Sequence, residues 1–95
     1  MKKPDTPWSV QKPKKFDKQV RALPYPVLKK LSVVMTDMIW HENPTQLGIM
    51  KNTVYGPAYV TEIGDSYRLA YLVDLGKRII IIIIVWDHKG IYGTD

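Results

Sequence analysis

The sequence predicts a single α+β domain in which two N-terminal helices pack on a small, twisted and mostly antiparallel sheet, in the order β-α-α-β-β-β. Three observations predict this class. Residues 79–84 are six consecutive isoleucines, which strongly favour a strand. Residues 16–39 instead carry apolar side chains at helical spacing. The 95 residues are enough for one hydrophobic core and too few for two.

The N-terminal segment predicts an arm followed by a short strand. Residues 1–7 combine Lys, Pro, Asp and Thr and have nothing to bury, so we expect a flexible basic arm. The single domain should then span residues 8–95. Residues 8–11 alternate apolar and polar side chains, which suits a short strand at a sheet edge.

Two helices are predicted between residues 13 and 41. Phe16, Val20 and Leu23 recur at i, i+4 and i+7 among lysines, the pattern of a short amphipathic helix. Pro24 ends this helix, and Pro26 can begin the next one at its first turn. The second helix should extend to about Trp40 or His41 and carry a broad apolar stripe. The stripe consists of Val27, Leu28, Leu31, Val34, Met35, Met38 and Ile39.

A β-hairpin is the centre of the predicted sheet. Residues 67–73 are rich in aromatic and branched side chains, and a Gly-bearing turn at residues 74–77 leads into the isoleucine strand. That strand is apolar at both odd and even positions, so it should be covered on both faces and have a neighbour on each side. Before the hairpin, residues 45–57 are interpreted as a loop that can include a weak strand or turn, and residues 59–63 as one further strand.

The hairpin register decides which way its side chains point. With a tight turn, Val73 pairs with Arg78, and Arg68 pairs with Ile83. Arg68 then lies beside small Ala70, away from the helices and toward solvent or a ligand. The ordinary alternative is an arginine at a strand end that pairs with an acidic neighbour, Asp65 or Glu62. The face predicted to meet the helices carries Tyr67, Leu69, Tyr71, Val73, Ile80, Ile82 and Ile84.

Composition and charge narrow the possible functions. The chain has no cysteine, and its two histidines, His41 and His88, lie far apart, so we expect no metal and no cofactor. No apolar segment has the features of a signal peptide or the length of a membrane helix, so a cytoplasmic protein without a membrane partner is expected. Residues 1–30 hold nine Lys or Arg against two acidic residues, whereas residues 31–95 hold five against seven. The basic first third suits a solubilising surface or a polyanionic or acidic partner.

Three segments, taken with the order of elements, point to a known family. The segments are FDKQVRALPYPVLKKL, GDSYRLAYLVD and IIIIIIVWDHKGIY. Their most specific part is a Tyr-Arg-x-x-Tyr strand, followed after a tight turn by a hydrophobic strand and a short basic segment ending in Tyr. Over about residues 8–93 the chain resembles the RelE/ParE superfamily of bacterial toxins from type II toxin–antitoxin systems. The resemblance implies a RelE/ParE-like toxin domain and a cognate antitoxin protein as partner.

The resemblance also implies roles for four residues. Toxins of the ribonuclease branch cleave messenger RNA on the ribosome by attack of a 2′-hydroxyl, which leaves a cyclic phosphate. Arg68 matches the family's arginine on the third strand and would stabilise the phosphate charge. Tyr92 matches the closing tyrosine and would orient a base or the leaving group. His88 is the residue type suited to proton transfer, and Lys89 would attract RNA.

Three functions remain open from the sequence. The four residues named above favour a ribosome-dependent messenger-RNA endoribonuclease that inhibits translation. The family's ribosome-dependent nucleases often carry lysines on the strand where this chain has Tyr59 and Thr61. That difference favours a ParE-like toxin that inhibits DNA gyrase without hydrolysing anything. An inactive module that only binds its antitoxin is the third possibility.

Overall fold

The computed structural model describes residues 5–92 and confirms the predicted α+β class. The loop expected at residues 45–57, for which a weak strand or turn was allowed, contains most of a 3₁₀ turn and a fifth strand, at residues 49–53. A short C-terminal helix was not predicted. The elements in chain order are β1 (Ser9–Gln11), α1 (Lys14–Arg21), α2 (Tyr25–Ile39), a 3₁₀ turn (Pro44–Leu47), β2 (Ile49–Thr53), β3 (Gly56–Ile63), β4 (Tyr67–Asp74), β5 (Ile79–Asp87) and α3 (His88–Tyr92).

The strands form one mixed sheet in the order β1-β5-β4-β3-β2. The isoleucine strand β5 lies between β1, which runs parallel to it, and β4, which runs antiparallel, so its predicted central position is confirmed. The pairs β3–β4 and β2–β3 are antiparallel. β1 pairs only with residues 79–81 of β5. Further along, the Gln19 side chain of α1 accepts a hydrogen bond from the Val85 amide at 3.3 Å and covers the edge that β1 leaves open.

The helices α1 and α2 cover one face of the sheet and create the main hydrophobic core. This packing confirms the predicted helical hairpin, because Phe16 of α1 and Leu31 and Met38 of α2 are buried against the strands. His41 lies just after α2, where its Nδ1 accepts a hydrogen bond from the Asn43 amide at 2.9 Å. The buried members of this core are Trp8, Phe16, Leu23, Leu31, Met38, Ile63, Leu69, Tyr71, Ile80, Ile82 and Val85.

The turn of the β4–β5 hairpin differs from the prediction. It contains residues 75–78, so Asp74 pairs with Ile79, and the predicted pairing of Val73 with Arg78 is wrong. Arg78 adopts a left-handed conformation with φ of 56°, which is uncommon for a residue other than glycine. Its guanidinium lies 4.7 Å from the centroid of the Trp8 ring, and this stacking favours the conformation.

A β-bulge changes the register again further along the hairpin. Ile82 and Ile84 pair with consecutive residues of β4, so Ile83 between them is an extra residue. Arg68 therefore pairs with Trp86 and not with Ile83. The bulge also reverses the facing of the later residues, because Ile82 belongs to the helix-side core while Ile84 lies in a cluster on the other face. The prediction that Ile84 faces the helices is wrong for this reason.

A smaller cluster on that other face is closed by α3. Ile91 of α3 is fully buried against the sheet, and its carbonyl accepts a hydrogen bond from the Val54 amide at 3.0 Å. The Asp87 carboxylate accepts a hydrogen bond from the Gly90 amide at 2.8 Å and caps the start of the helix. The cluster consists of Ala58, Val60, Ala70, Ile84 and Ile91, with Ile83 at its edge.

The predicted N-terminal arm falls partly outside the described residues, which begin at Asp5. Within the arm, the Thr6 carbonyl accepts a hydrogen bond from Arg78 Nη2 at 3.2 Å. Between residues 5 and 92, no helix has the length and apolarity needed to cross a membrane.

Candidate active site

An open cleft of about 450 Å³ lies on the sheet face opposite α1 and α2. The strand β2, the end of β3, the start of β4 and the start of α3 form its walls. It brings together ionisable side chains from all four of these elements. The lining residues are Leu47, Gly48, Ile49, Lys51, Val60, Thr61, Glu62, Arg68 and His88.

Arg68 is held at one wall of the cleft by its own hydrogen bonds. Its Nη1 donates to the backbone carbonyls of Tyr67 at 2.9 Å and Asp65 at 3.2 Å. Its Nη2 lies 3.5 Å from Glu62 Oε1, on the neighbouring strand. The side chain is only 17% exposed. The two carbonyls hold the guanidinium in place. Pairing with Asp65 or Glu62 is the ordinary alternative that the sequence offers for Arg68, and the ion pair with Glu62 forms within the cleft.

His88 reaches the same cleft because of the hairpin register. It directly follows the last pair between β4 and β5, and its amide donates a hydrogen bond to the Ser66 carbonyl at 3.1 Å. Under the predicted register, Arg68 would lie opposite Ile83, five residues before His88 and roughly 16 Å from it along the strand. The β-bulge and the longer turn thus place the two predicted site residues at one end of the hairpin.

Two charged residues of the cleft were not predicted as site residues. Lys51 lies in β2, which the sequence indicated only as a weak strand or turn within a loop, because four of its five residues are exposed and show no apolar alternation. The missed signal in the sequence is Gly56, because a short Gly-bearing turn between two segments can indicate a hairpin. In the structure, the Thr53 hydroxyl donates a hydrogen bond to the Gly56 carbonyl at 2.8 Å across this turn. Glu62 was considered only as a partner of Arg68, whereas it also lines the cleft.

The two residues of β3 that stand where the family often has lysines are placed differently. Thr61 lines the cleft. Tyr59 packs against the helix-side core, where its ring centroid lies 5.7 Å from that of Tyr71. Lys51, on the adjacent strand β2, supplies a lysine to the cleft instead.

The other two predicted site residues lie on α3. Lys89 is exposed in its first turn and is not among the described residues that line the cleft. Tyr92 is the last residue of α3, and its side chain lies outside the part of the chain that the structure describes. Their roles stay predictions that depend on position alone.

The charged groups of the cleft complement one another chemically. A guanidinium can bind phosphate oxygens with two parallel hydrogen bonds. A carboxylate can accept a proton, and an imidazolium can donate one. Glu62, Arg68 and His88 bring these three capacities into one cleft. Within residues 5–92, no group of three or more His, Asp or Glu side chains could hold a metal ion.

Comparison with known proteins gives a clear result for structure and none for sequence. The sequence matches no protein-family model and no curated protein. The structure, however, superposes on a mutant of the E. coli toxin RelE in its free state, with a TM-score of 0.63 and 21% identity, covering 85% of this chain and 83% of that one. The chain has the RelE fold.

Two complexes contain chains of the same fold. One is the RelBE2 toxin–antitoxin complex of Mycobacterium tuberculosis, with a TM-score of 0.68 and 18% identity over 86% of this chain and 99% of that one. The other is the archaeal RelE–RelB complex of Pyrococcus horikoshii, with a TM-score of 0.67 and 19% identity over 84% and 93%. At such low identity the likeness shows the fold alone, so the chemistry must be argued from this chain's own residues.

Proposed function

We propose that this chain is the toxin of a type II toxin–antitoxin pair and that it cleaves messenger RNA on the ribosome. The RelE fold supports the first part of the proposal. The observation that carries the second part is the presence of Glu62, Arg68 and His88 in one cleft. These groups can supply a general base, charge stabilisation and a general acid for cleavage of an RNA phosphodiester by its own 2′-hydroxyl.

Each of the three residues has a defined step in this reaction. The Glu62 carboxylate removes the proton from the 2′-hydroxyl, whose oxygen attacks the neighbouring phosphorus. Arg68 stabilises the negative charge that develops on the phosphate oxygens. His88 gives a proton to the departing 5′-oxygen as the P–O5′ bond breaks. The products are a 2′,3′-cyclic phosphate on one fragment and a 5′-hydroxyl on the other.

The ion pair between Arg68 and Glu62 is compatible with this reaction. Arg68 Nη1 is committed to two backbone carbonyls, whereas Nη2 contacts Glu62 Oε1 at 3.5 Å. A substrate phosphate can replace the carboxylate at Nη2 and leave the anchoring bonds intact. Glu62 is released in the same step and becomes available for the 2′-hydroxyl. Arg68 thus positions the Glu62 carboxylate before the substrate binds, and it contacts the phosphate afterwards.

The remaining candidates have supporting roles in the proposal. Lys51 also lines the cleft and adds a positive charge to it. Lys89 and Tyr92 follow His88 on α3, where Lys89 attracts RNA and Tyr92 orients a base or the leaving group. Lys89→Ala should weaken RNA binding and lower its salt dependence by about one phosphate contact.

An antitoxin partner also follows from the proposal. Leu72 is 37% exposed, and its pair across the hairpin is half-buried Ile81, on the face away from the helices. We expect an antitoxin segment to cover this surface and mask Arg68 electrostatically. Adding the product of the neighbouring gene should protect the amides of β4 and β5 from hydrogen exchange. Unchanged exchange there, despite tight binding, would place the antitoxin elsewhere.

The test of the proposed chemistry is cleavage of ribosome-bound messenger RNA by the purified chain and its variants. Arg68→Ala and His88→Gln should each lower the rate on the order of 10²-fold or more. Glu62→Gln should cause a similar loss, because an amide cannot accept the proton of the 2′-hydroxyl.

Controls separate these losses from general effects of charge. Glu42→Gln removes an exposed carboxylate outside the cleft, and Lys77→Gln removes an exposed cation in the β4–β5 turn. Both should cleave at the wild-type rate. The proposed chemistry is wrong if Glu62→Gln and Glu42→Gln behave alike, or if the fragments carry ends other than a cyclic phosphate and a 5′-hydroxyl.

A further inference from the structure

A second groove, of about 280 Å³, lies between the outer surface of α2 and the turn that joins β3 to β4. Its floor is apolar, and two lysines and one carboxylate surround it. Val33, on the floor, is 61% exposed although it is a large apolar residue on a helix. The lining residues are Lys29, Lys30, Val33, Val34, Glu62 and Gly64.

The groove adjoins the active-site cleft at Glu62, which lines both. Glu62 lies near the end of β3, with its neighbour Arg68 on the cleft side. Gly64, in the turn that follows, has a left-handed φ of 73°, and a Cβ added there would contact the Lys30 stem at 3.6 Å. A polymer leaving the cleft past Glu62 therefore meets the lysines of the groove next.

The exposed side chains of α2 continue this route. Tyr25, Lys29 and Val33 occupy positions i, i+4 and i+8, which lie along one side of a helix. Tyr25 is 70% exposed, and Lys29 Nζ lies 5.6 Å from the centroid of its ring. This row presents an aromatic face, a cation and an apolar surface. Single-stranded nucleic acids bind to this combination, since bases stack on rings and phosphates approach cations.

Charge favours the same kind of ligand. Residues 12–30, which contain α1 and the start of α2, hold seven Lys or Arg and a single acidic residue, Asp17. Two of these cations, Lys29 and Lys30, line the groove itself, and the other five lie in or just before α1. Because the backbone groups of a helix are already hydrogen-bonded internally, a ligand here must bind through side-chain charge, stacking and apolar contact. A flexible polyanion with flat bases can use all three.

We propose that the groove is a subsite for the single-stranded RNA nucleotides next to the scissile phosphate. Lys29 and Lys30 contact the phosphates of these nucleotides, Val33 packs against a base or ribose, and Tyr25 offers a ring for stacking. The subsite rests on the proposed ribonuclease function, since it takes the continuation of that substrate. It adds affinity outside the reacting centre and takes no part in the chemistry.

The experiment compares the binding of a short RNA, which fills only the cleft, with RNAs extended by three nucleotides on the 5′ or the 3′ side. Each RNA spans a mapped cleavage site and has a 2′-deoxy nucleotide at the scissile position, so that it binds without reacting. Fluorescence anisotropy gives the dissociation constants at several salt concentrations. If no cleavage site is found, oligouridines of the same lengths replace these RNAs, so binding is measured whether or not the chain cleaves.

One of the two extensions should increase affinity, and Lys30→Gln should reverse much of the increase. Loss of one phosphate contact lowers the salt slope by about 0.7 and the affinity roughly fivefold near 0.1 M salt. Lys29→Gln should act similarly, and Val33→Ser should reduce the increase without changing the salt slope. None of these substitutions should affect the short RNA. Lys77→Gln, the matched control on the opposite hairpin turn, should leave both affinities unchanged.

The subsite is wrong if neither extension increases affinity, or if the chain binds no RNA of any length. It is also wrong if the lysine substitutions weaken binding of short and extended RNA equally, because that result indicates general attraction only. If the substitutions weaken antitoxin binding and leave RNA binding intact, the groove is a protein-docking site instead. Cleavage without an extension effect rejects the subsite alone, whereas binding with an extension effect but without cleavage rejects only the proposed chemistry.

Discussion

At the scale of a single residue, Tyr71 connects the hydrophobic core with the wall of the cleft. Its side chain is fully buried, and its hydroxyl donates a hydrogen bond to the Pro44 carbonyl at 2.8 Å. A Cβ added at Gly48, which lines the cleft, would lie 2.7 Å from the Tyr71 hydroxyl oxygen. Burial, together with the nearby Tyr59, raises the pKa of Tyr71 to about 12. The core therefore holds this hydroxyl in its neutral, donating form.

The raised pKa predicts how Tyr71 affects stability at alkaline pH. The folded pKa of about 12 lies above the reference value of 10.0, so the unfolded chain loses its proton first as the pH rises. The contribution is fully present below pH 10 and is lost between pH 10 and 12. Urea unfolding at pH 9 and pH 11 should therefore show a smaller decrease in unfolding free energy for Tyr71→Phe than for wild type.

The exposed Tyr25 supplies the control for this comparison. Tyr25→Phe should keep the wild-type decrease between pH 9 and pH 11, because its side chain is 70% exposed. An equal decrease in wild type and in Tyr71→Phe would mean that ionisation of Tyr71 does not limit stability in this range.

At the scale of elements, the sequence correctly predicted the features that depend on residue propensity and hydrophobic periodicity. The proline pair Pro24 and Pro26 separates α1 from α2 as expected, and the isoleucine run is the central strand. The bulge at Ile83 was not predictable, because six identical side chains contain no information about which one is unpaired. The left-handed Arg78 was missed because its conformation is favoured by a contact with distant Trp8.

The central position of β5 predicts a large effect of a charge in its middle. Ile82 is 2% exposed, so Ile82→Asp would bury a carboxylate without a partner at a cost of several kcal/mol, comparable with the roughly 5–15 kcal/mol of total stability of a small domain. Circular dichroism should show no cooperative unfolding transition. Leu75→Asp, in the exposed turn of the same hairpin, should unfold like wild type. A cooperatively folded Ile82→Asp variant would contradict the central-strand assignment.

The short helix α3 depends on a glycine at its centre. A Cβ added at Gly90 would overlap the Trp86 indole, which pairs across the sheet with Arg68. Gly90→Ala should therefore displace the ring or the helix and lower the unfolding free energy by about 1–3 kcal/mol. It should also reduce cleavage, because α3 carries His88. Gly76→Ala, whose added Cβ would make only an ordinary contact, is the control and should change neither property.

At the scale of the whole molecule, positive charge and candidate chemistry occupy different surfaces. The helical layer carries the excess of Lys and Arg, while the cleft on the opposite face of the sheet mixes both signs. The sequence indicated the basic first third, Arg68 and His88. It also offered Glu62 as an acidic partner of Arg68, which the ion pair confirms. It could not indicate that Lys51 joins them, because the exposed residues of β2 do not reveal how that strand pairs. Under the proposed function, the reacting groups lie in the cleft, and the lysines of α2 add RNA affinity from a separate surface.

The separation predicts different consequences for substitutions on the two surfaces. Substitutions in the cleft should lower the cleavage rate with bound substrate, whereas substitutions on α2 should change affinity and its dependence on salt. Both kinds should keep the fold, since Arg68, His88, Lys29 and Lys30 lie outside the buried core. Single-turnover cleavage at saturating and at limiting RNA distinguishes the two effects.

The most direct measurement of the central claim is the mapping of messenger-RNA ends after the chain is induced in cells. The wild-type chain should arrest growth and produce new 5′-hydroxyl ends within ribosome-bound messages. Arg68→Ala should accumulate to the same level and produce neither effect, and Lys77→Gln should behave as wild type. Growth arrest with intact messenger RNA and failed DNA supercoiling would contradict the ribonuclease account and identify DNA gyrase as the target.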